Sequence, residues 1–133
     1  MVSAFTEYPD AVARINESFA KMGVDYSLAL ARLTSAEAPW LGDLSTLVLR
    51  DSSGVQVSFS DVGYGISQLL PILFEIQFKG CLLVEQPELH LHPALQASLM
   101  EEIAHTTKRT SGQVILETHS EHMVLRQIGR AHV

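Results

Sequence analysis

Two short apolar runs separated by an amphipathic stretch constrain this chain more than any other feature. The first, Cys81–Val84, follows Gly80, and the second, Gln113–Thr118, follows Ser111-Gly112. Between them, Pro93 suits a first helical position. Leu95, Leu99 and Ile103 then recur at the spacing of one helix face. Strand, helix, strand is a βαβ unit, which predicts two parallel strands joined by a right-handed crossover. The first run is expected to be a buried strand, with Cys81 as a buried structural thiol. Ligands of such sheets gather beyond the carboxyl ends of the strands. Glu85, Gln86 and Glu88 follow the first run, and Thr118, His119 and Ser120 close the second. The polar chemistry therefore converges on one edge of the sheet.

The preceding residues follow a different plan. Val12, Ile15, Phe19 and Met22 predict a helix from Asp10 to about Met22, with Pro9-Asp10 at its start and Gly23 at its end. Tyr26 to Leu33 reads as a strand. Thr46–Arg50 and Val55–Phe59 flank Asp51-Ser52-Ser53-Gly54, which predicts a hairpin. The Pro/Trp/Gly-containing connection between these strands carries no assignable pattern. Ile66, Leu69, Leu70, Leu73 and Ile76 mark one face of a helix expected to begin near Ser67, placing Pro71 about at the end of its first turn. The fold class is thus α/β, a parallel βαβ core preceded by a β-hairpin.

Bulk properties narrow the function classes. At 133 residues, 47% hydrophobic and 18% charged, the chain suits one packed domain. A net charge of -6 offers no general attraction to nucleic acid or anionic membrane. The only basic pair, Lys108-Arg109, is expected on a solvated helix end, so this segment carries no direct nucleic-acid signal. No apolar run approaches the roughly 20 residues of a membrane span. The start, MVSAFTEYPD, lacks the basic and apolar regions of a signal peptide, and a lone cysteine forms no internal disulfide. The expected location is cytoplasmic, with no membrane partner.

Three segments carry chemistry. In SFSDVGYGISQLLPIL, Gly63 and Gly65 allow a tight turn and close backbone approach to a ligand, and Ser67 follows where a helix start favours anions. The plain reading is a glycine turn with Ser67 as N-cap. In CLLVEQPELHLHPALQ, an apolar strand ends in Glu85, as a P-loop ATPase presents an acidic group toward Mg²⁺. A second carboxylate nearby, such as Glu88, could polarise an attacking water. The plain reading is a strand and a polar loop with His92 as a helix cap. In QVILETHSEHM, His119 at a strand end could donate to a γ-phosphate or hold a water. A structural histidine is the alternative.

In this order, the segments resemble the ABC-like AAA-family ATPases of the RecF, structural-maintenance-of-chromosomes and overcoming-lysogenization-defect group. Many of those relatives have DEPE followed by LHP at the Walker B segment and end their last strand in THS. The resemblance covers roughly Ser58 to Arg126. It implies that residues 1–127 form the C-terminal part of one P-loop NTPase domain of ABC type. By resemblance, Gly63, Gly65, Ser67 and Gln68 form the signature that contacts the γ-phosphate of ATP held by a partner subunit. Glu85 takes the Mg²⁺-facing position, His90–Pro93 belong to the D-loop at the dimer interface, and His119 is the switch histidine. The implied cofactors are ATP and Mg²⁺. The implied assembly is a head-to-tail homodimer driving an attached effector, with a nuclease or DNA-processing partner seen among relatives.

Two departures qualify this. Gln86 stands where the common pattern has a catalytic Glu, so hydrolysis would fall to Glu88 or be slow, favouring a nucleotide-gated interaction module. No G-x-x-x-x-G-K-[ST] phosphate loop occurs, so these residues are expected not to hold triphosphate alone. A third reading is a metal-dependent hydrolase built on His90, His92, His119, His122 and nearby carboxylates. The ending IGRAHV, Ile128–Val133, reads as an in-frame translation of a sequencing adapter and is expected to be non-native.

Overall fold

The computed structural model of the chain describes residues 5, 7–33, 44–78 and 80–128. Helix α1, Ala11–Met22, buries Ala11, Ile15, Ser18, Phe19 and Met22. These positions form one stripe at the helical period. Gly23 ends the helix at φ 71°, where its N–H bonds Ala20 O, a conformation that costs glycine least. Strand β1, Tyr26–Leu33, pairs antiparallel with β2, Leu44–Asp51, and β2 pairs with the short β3, Gln56–Val57. Asn16 fastens α1 to β1: its amide donates to the Leu28 carbonyl at 3.0 Å and its oxygen accepts from the Leu28 N–H at 2.6 Å. In the β2–β3 turn, the Asp51 carboxylate accepts from the N–H groups of Ser53 and Val55. The predicted helix, strand and hairpin therefore form, with β2 longer at both ends and β3 shorter. The connection at 34–43 and the tail beyond 128 lie outside the described residues.

Helix α2, Tyr64–Phe78, begins three residues before the position that its apolar stripe suggested. Ser67 therefore sits in the first full turn rather than at the N-cap. Its hydroxyl donates to the carbonyls of Phe59 and Gly63 at 3.2 and 3.4 Å. Pro71 consequently falls two turns in, inside the helix, where it has no N–H for the Ser67 carbonyl. Nor is α2 one-sided. Leu69, Leu70, Ile72, Leu73, Phe74, Ile76 and Gln77 are all buried, making it the central helix of the core. Phe5 and Tyr8 pack on Phe74 and Phe78 of this helix, with ring centroids 4.7 to 5.8 Å apart within the group.

Strand β4, Cys81–Glu85, pairs parallel with β5, Gln113–Glu117, in register from Cys81↔Gln113 to Glu85↔Glu117. Helix α3, Pro93–Thr110, connects them, and α4, Glu121–Ile128, follows. Here the expectation of a buried strand is corrected. Residues alternate along both strands: 82, 84, 114 and 116 are half-buried against the core, while Cys81, Leu83, Glu85, Gln113, Ile115 and Glu117 are exposed. Leu83 and Ile115, paired in register, are 68% and 65% exposed, and Cys81 is an exposed free thiol. An apolar run suits a sheet covered on both faces, but the described residues cover only one.

The last layer is stitched by polar contacts inside the core. Ser18 of α1 donates to Glu102 of α3 at 2.6 Å, Gln77 of α2 donates to Ser18 at 3.0 Å, and Thr106 donates to Glu102 at 3.3 Å. One buried chain of hydrogen bonds thus links the three helices, from Gln77 through Ser18 to the Glu102 carboxyl. Among the described residues, no helix is long and apolar enough to cross a membrane.

Candidate functional site

The two parallel strands end side by side, so the residues after them meet. Beyond Glu85, the N–H of Gln86 donates to the Glu117 carbonyl at 2.7 Å, carrying the pairing one step past the strand. Gln86 then takes φ 49° and His90 φ 62°, left-handed conformations that non-glycine residues rarely adopt. These two bends fold 86–92 back over the sheet edge, ending at His92. The His92 imidazole accepts from Ala94 N at 3.3 Å as the N-cap of α3, as the plain reading expected.

Across that edge, the backbone N–H of His119 donates to Glu88 Oε1 at 2.7 Å. One hydrogen bond thereby joins the second and third chemical segments. The Glu88 carboxyl is half-buried. Burial pushes its pKa up, but hydrogen bonds from the His119 N–H, its own N–H and the Thr118 hydroxyl, with the charge of His119, outweigh that and hold it below the usual carboxylate range. Its second oxygen, Oε2, is buried and accepts no hydrogen bond of normal geometry among the described residues. The His119 and Glu85 side chains are exposed at the same edge.

The glycine segment reaches this loop from the other side. A Cβ on Gly65 would lie 2.8 Å from the His90 carbonyl oxygen and 3.1 Å from Leu91 Cδ2. Gly65 is therefore glycine because the loop backbone touches it. Gly63 differs: its φ of 78° demands a glycine, while nothing stands within 4 Å of its Cβ position. The Tyr64 and His90 rings lie 5.6 Å apart, a second contact between these segments. Phe59, Ser60, Gly63, Tyr64 and Ser67 line an open cleft of about 310 Å³. Gly63 and Ser67 thus share a cleft, whereas Gly65 faces the loop and Gln68 is half-buried, its Oε1 without a partner among the described residues.

Two contributors escaped the sequence reading. Glu117 stands in register with Glu85, and both are exposed on one face of the strand pair. The alternation of β5 around Ile115 held that signal. Gln96, on the first turns of α3, donates to the Leu91 carbonyl at 2.9 Å and accepts from the Ser120 hydroxyl. Nothing in its spacing announced it. His90, His92, His119 and His122 do not gather: among the described residues, no three His, Cys, Asp or Glu side chains form a metal-holding group. The metal-hydrolase reading therefore has no donor set among the described residues.

The sequence profile of the AAA ATPase domain family matches residues 3–124. Among solved structures, the chain is similar to the Smc head domain with an extended coiled coil bound to the C-terminal domain of ScpA from Pyrococcus furiosus. That match has TM-score 0.68 and 19% identity over 92% of this chain and 31% of the other. It is also similar to an Smc head bound to the C-terminal winged-helix domain of ScpA, with TM-score 0.70 and 19% identity over 92% of this chain and 38% of the other. A structure from a study of ATP-driven dimerisation and DNA-stimulated activation of SMC ATPases matches with TM-score 0.66 and 18% identity, over 92% of this chain and 74% of that one. The chain thus spans about a third of the first two Smc heads it matches. No curated protein matches it. With the family profile covering nearly all of its length, the chain belongs to the AAA ATPase domain family, and it shares part of the P-loop NTPase fold of SMC heads.

Proposed function

We propose that this chain supplies the Walker B and switch-histidine parts of one ATP site and the signature segment of the ATP site held by a second subunit. The hydrogen bond from His119 N to Glu88 carries this reading, because it draws the acidic loop and the strand-end histidine together at the carboxyl edge of the parallel pair. In this reading Glu85 faces Mg²⁺, His119 faces the γ-phosphate, and Gly63, Gly65, Ser67 and Gln68 form the segment that meets ATP held by the other subunit. The phosphate loop, absent from these 133 residues, comes from a further part of the protein. The effector proposed is a nuclease or DNA-processing partner, and stimulation of turnover by DNA tests that class.

Mg²⁺ bound with a nucleotide needs only one or two carboxylates beside phosphate oxygens and water, and Glu85, exposed beside Glu117 at the strand end, would supply that contact. Bound Mg²⁺ would neutralise charge on the phosphates. The residues themselves do the rest. Gln86 can orient a water but cannot take its proton. That favours slow turnover and a long-lived ATP-bound dimer, the behaviour of a nucleotide-gated interaction module. The test is ATP-dependent dimerisation and single-turnover hydrolysis by the full-length protein with Ser67→Ala and His119→Ala. Each variant should weaken one or both, and wild-type behaviour in both variants would remove the site assignment.

A further inference from the structure

We propose that Gln96 is a positioning residue that sets His119 against the Glu85–Glu88 loop and links both to the loop carrying His90, an inference that rests on the ATP-site reading above. Its side chain uses both ends of its amide. Nε2 donates to the Leu91 carbonyl at 2.9 Å and the Glu88 carbonyl at 3.4 Å, while Oε1 accepts from the Ser120 hydroxyl. Ser120 is buried, its N–H donates to the Thr118 hydroxyl at 3.0 Å, and its own hydroxyl accepts from Met123 N at 3.3 Å at the start of α4. His119 sits between Thr118 and Ser120, and its N–H returns to Glu88. The contacts close a ring: Glu88, Gln96, Ser120, His119, Glu88.

Two physical points make this more than packing. The 86–91 segment holds two non-glycine residues at positive φ, Gln86 and His90. Such conformations persist only where the surroundings over-determine them, and the carbonyls held by Gln96, at 88 and 91, bracket His90. The bridge is also anchored on α3, the longest helix among the described residues, so it presents both loops with one rigid reference. A displacement of His119 therefore reaches the 88–91 backbone through Ser120 and Gln96. That gives a direct route from the end of β5 to the surface where Gly65 touches the His90 carbonyl.

The test uses the full-length protein with Gln96→Leu, which keeps the bulk and removes both ends of the bridge, and Gln96→Glu, which keeps the acceptor for Ser120 and removes the donor to the loop. Single-turnover ATP hydrolysis by Gln96→Leu should fall about tenfold or more with KM for ATP within about twofold, the pattern of lost transition-state positioning. Gln96→Glu should fall between Gln96→Leu and wild type. Amide exchange across 118–123 should quicken in Gln96→Leu. Ser120→Ala removes the same bond from its other end, and the double variant should be no worse than Gln96→Leu alone. If Gln96→Leu does not fold, Ser120→Ala must reproduce both the slowed turnover and the faster exchange. Unchanged exchange, unchanged turnover, or additive single effects would overturn the inference. His119→Ala and Ser67→Ala in parallel separate the two claims: slow His119→Ala with normal Gln96→Leu removes only the bridge, whereas wild-type behaviour of both His119→Ala and Ser67→Ala removes the site reading and with it the positioning role of Gln96.

Discussion

Replacing Gly65 by alanine sets two effects of opposite sign against each other. Alanine in place of a helical glycine gains up to about 1 kcal/mol in intrinsic propensity, less in a first turn. Against this, the new Cβ would stand 2.8 Å from the His90 carbonyl oxygen and 3.1 Å from Leu91 Cδ2. Ordinary contact requires the loop to retreat by about 0.6 Å, and overpacking of that kind costs about 1–3 kcal/mol. Retreat is resisted because the loop is tied by Glu88 to His119 and by Gln96 to Leu91 and Ser120. The clash therefore wins, and Gly65→Ala should lose about 1–2 kcal/mol net, read as a lower urea midpoint at unchanged slope. Amide exchange across 88–92 should rise with it. Gly63→Ala is the control: with open space around its Cβ position, its cost comes from φ 78° alone, about 1–2 kcal/mol, and exchange across 88–92 should stay at the wild-type rate. A Gly65→Ala protein with a midpoint equal to or above wild type would refute the reasoning, because the loop would then be free to move aside.

Three further outcomes follow from the same contacts. The Glu88 carboxyl is held below its ordinary pKa, so its stabilisation is present above the unfolded-state value and is lost as pH falls through the lowered folded value. Glu88→Gln should accordingly be less stable than wild type at neutral pH, with the gap closing in acid; a gap independent of pH in urea titrations would count against a charged acceptor. Glu102→Ala strands the Ser18 and Thr106 hydroxyls in the core and leaves a cavity, and should cost about 2–4 kcal/mol by equilibrium unfolding, whereas Glu102→Gln should lose much less. Gln86→Glu should raise single-turnover ATP hydrolysis in the full-length protein about tenfold or more if a missing base limits the step; an unchanged rate would place the limit elsewhere.

Local rules carried much of the fold. The stripe ending at Gly23 and the strand Tyr26–Leu33 were legible because helix period, glycine stop and apolar content lie within a few residues of one another. The βαβ order, with Pro93 opening its helix and Ser111 closing it, was legible for the same reason. The start of α2 was misplaced because Tyr64 and Gly65 continue the helix without adding to its apolar stripe. The burial of β4 was misjudged because an apolar run states what a strand can bury and leaves open what packs on it. Cys81 and Leu83 face outward for that reason.

At the site, chain chemistry alone determined which residues stand at the strand ends: Glu85, Gln86 and Glu88 on one side, and Thr118, His119 and Ser120 on the other. Tertiary structure decided which of them touch. Glu88 and His119 are 31 positions apart, Gln96 joins a loop before it to a helix start after it, and Gly65 owes its identity to the carbonyl of His90. Periodicity and capping are written in neighbouring residues, so a sequence shows them directly. A hydrogen bond across the sheet edge exists only once two strands lie parallel and in register, and no local pattern encodes that approach.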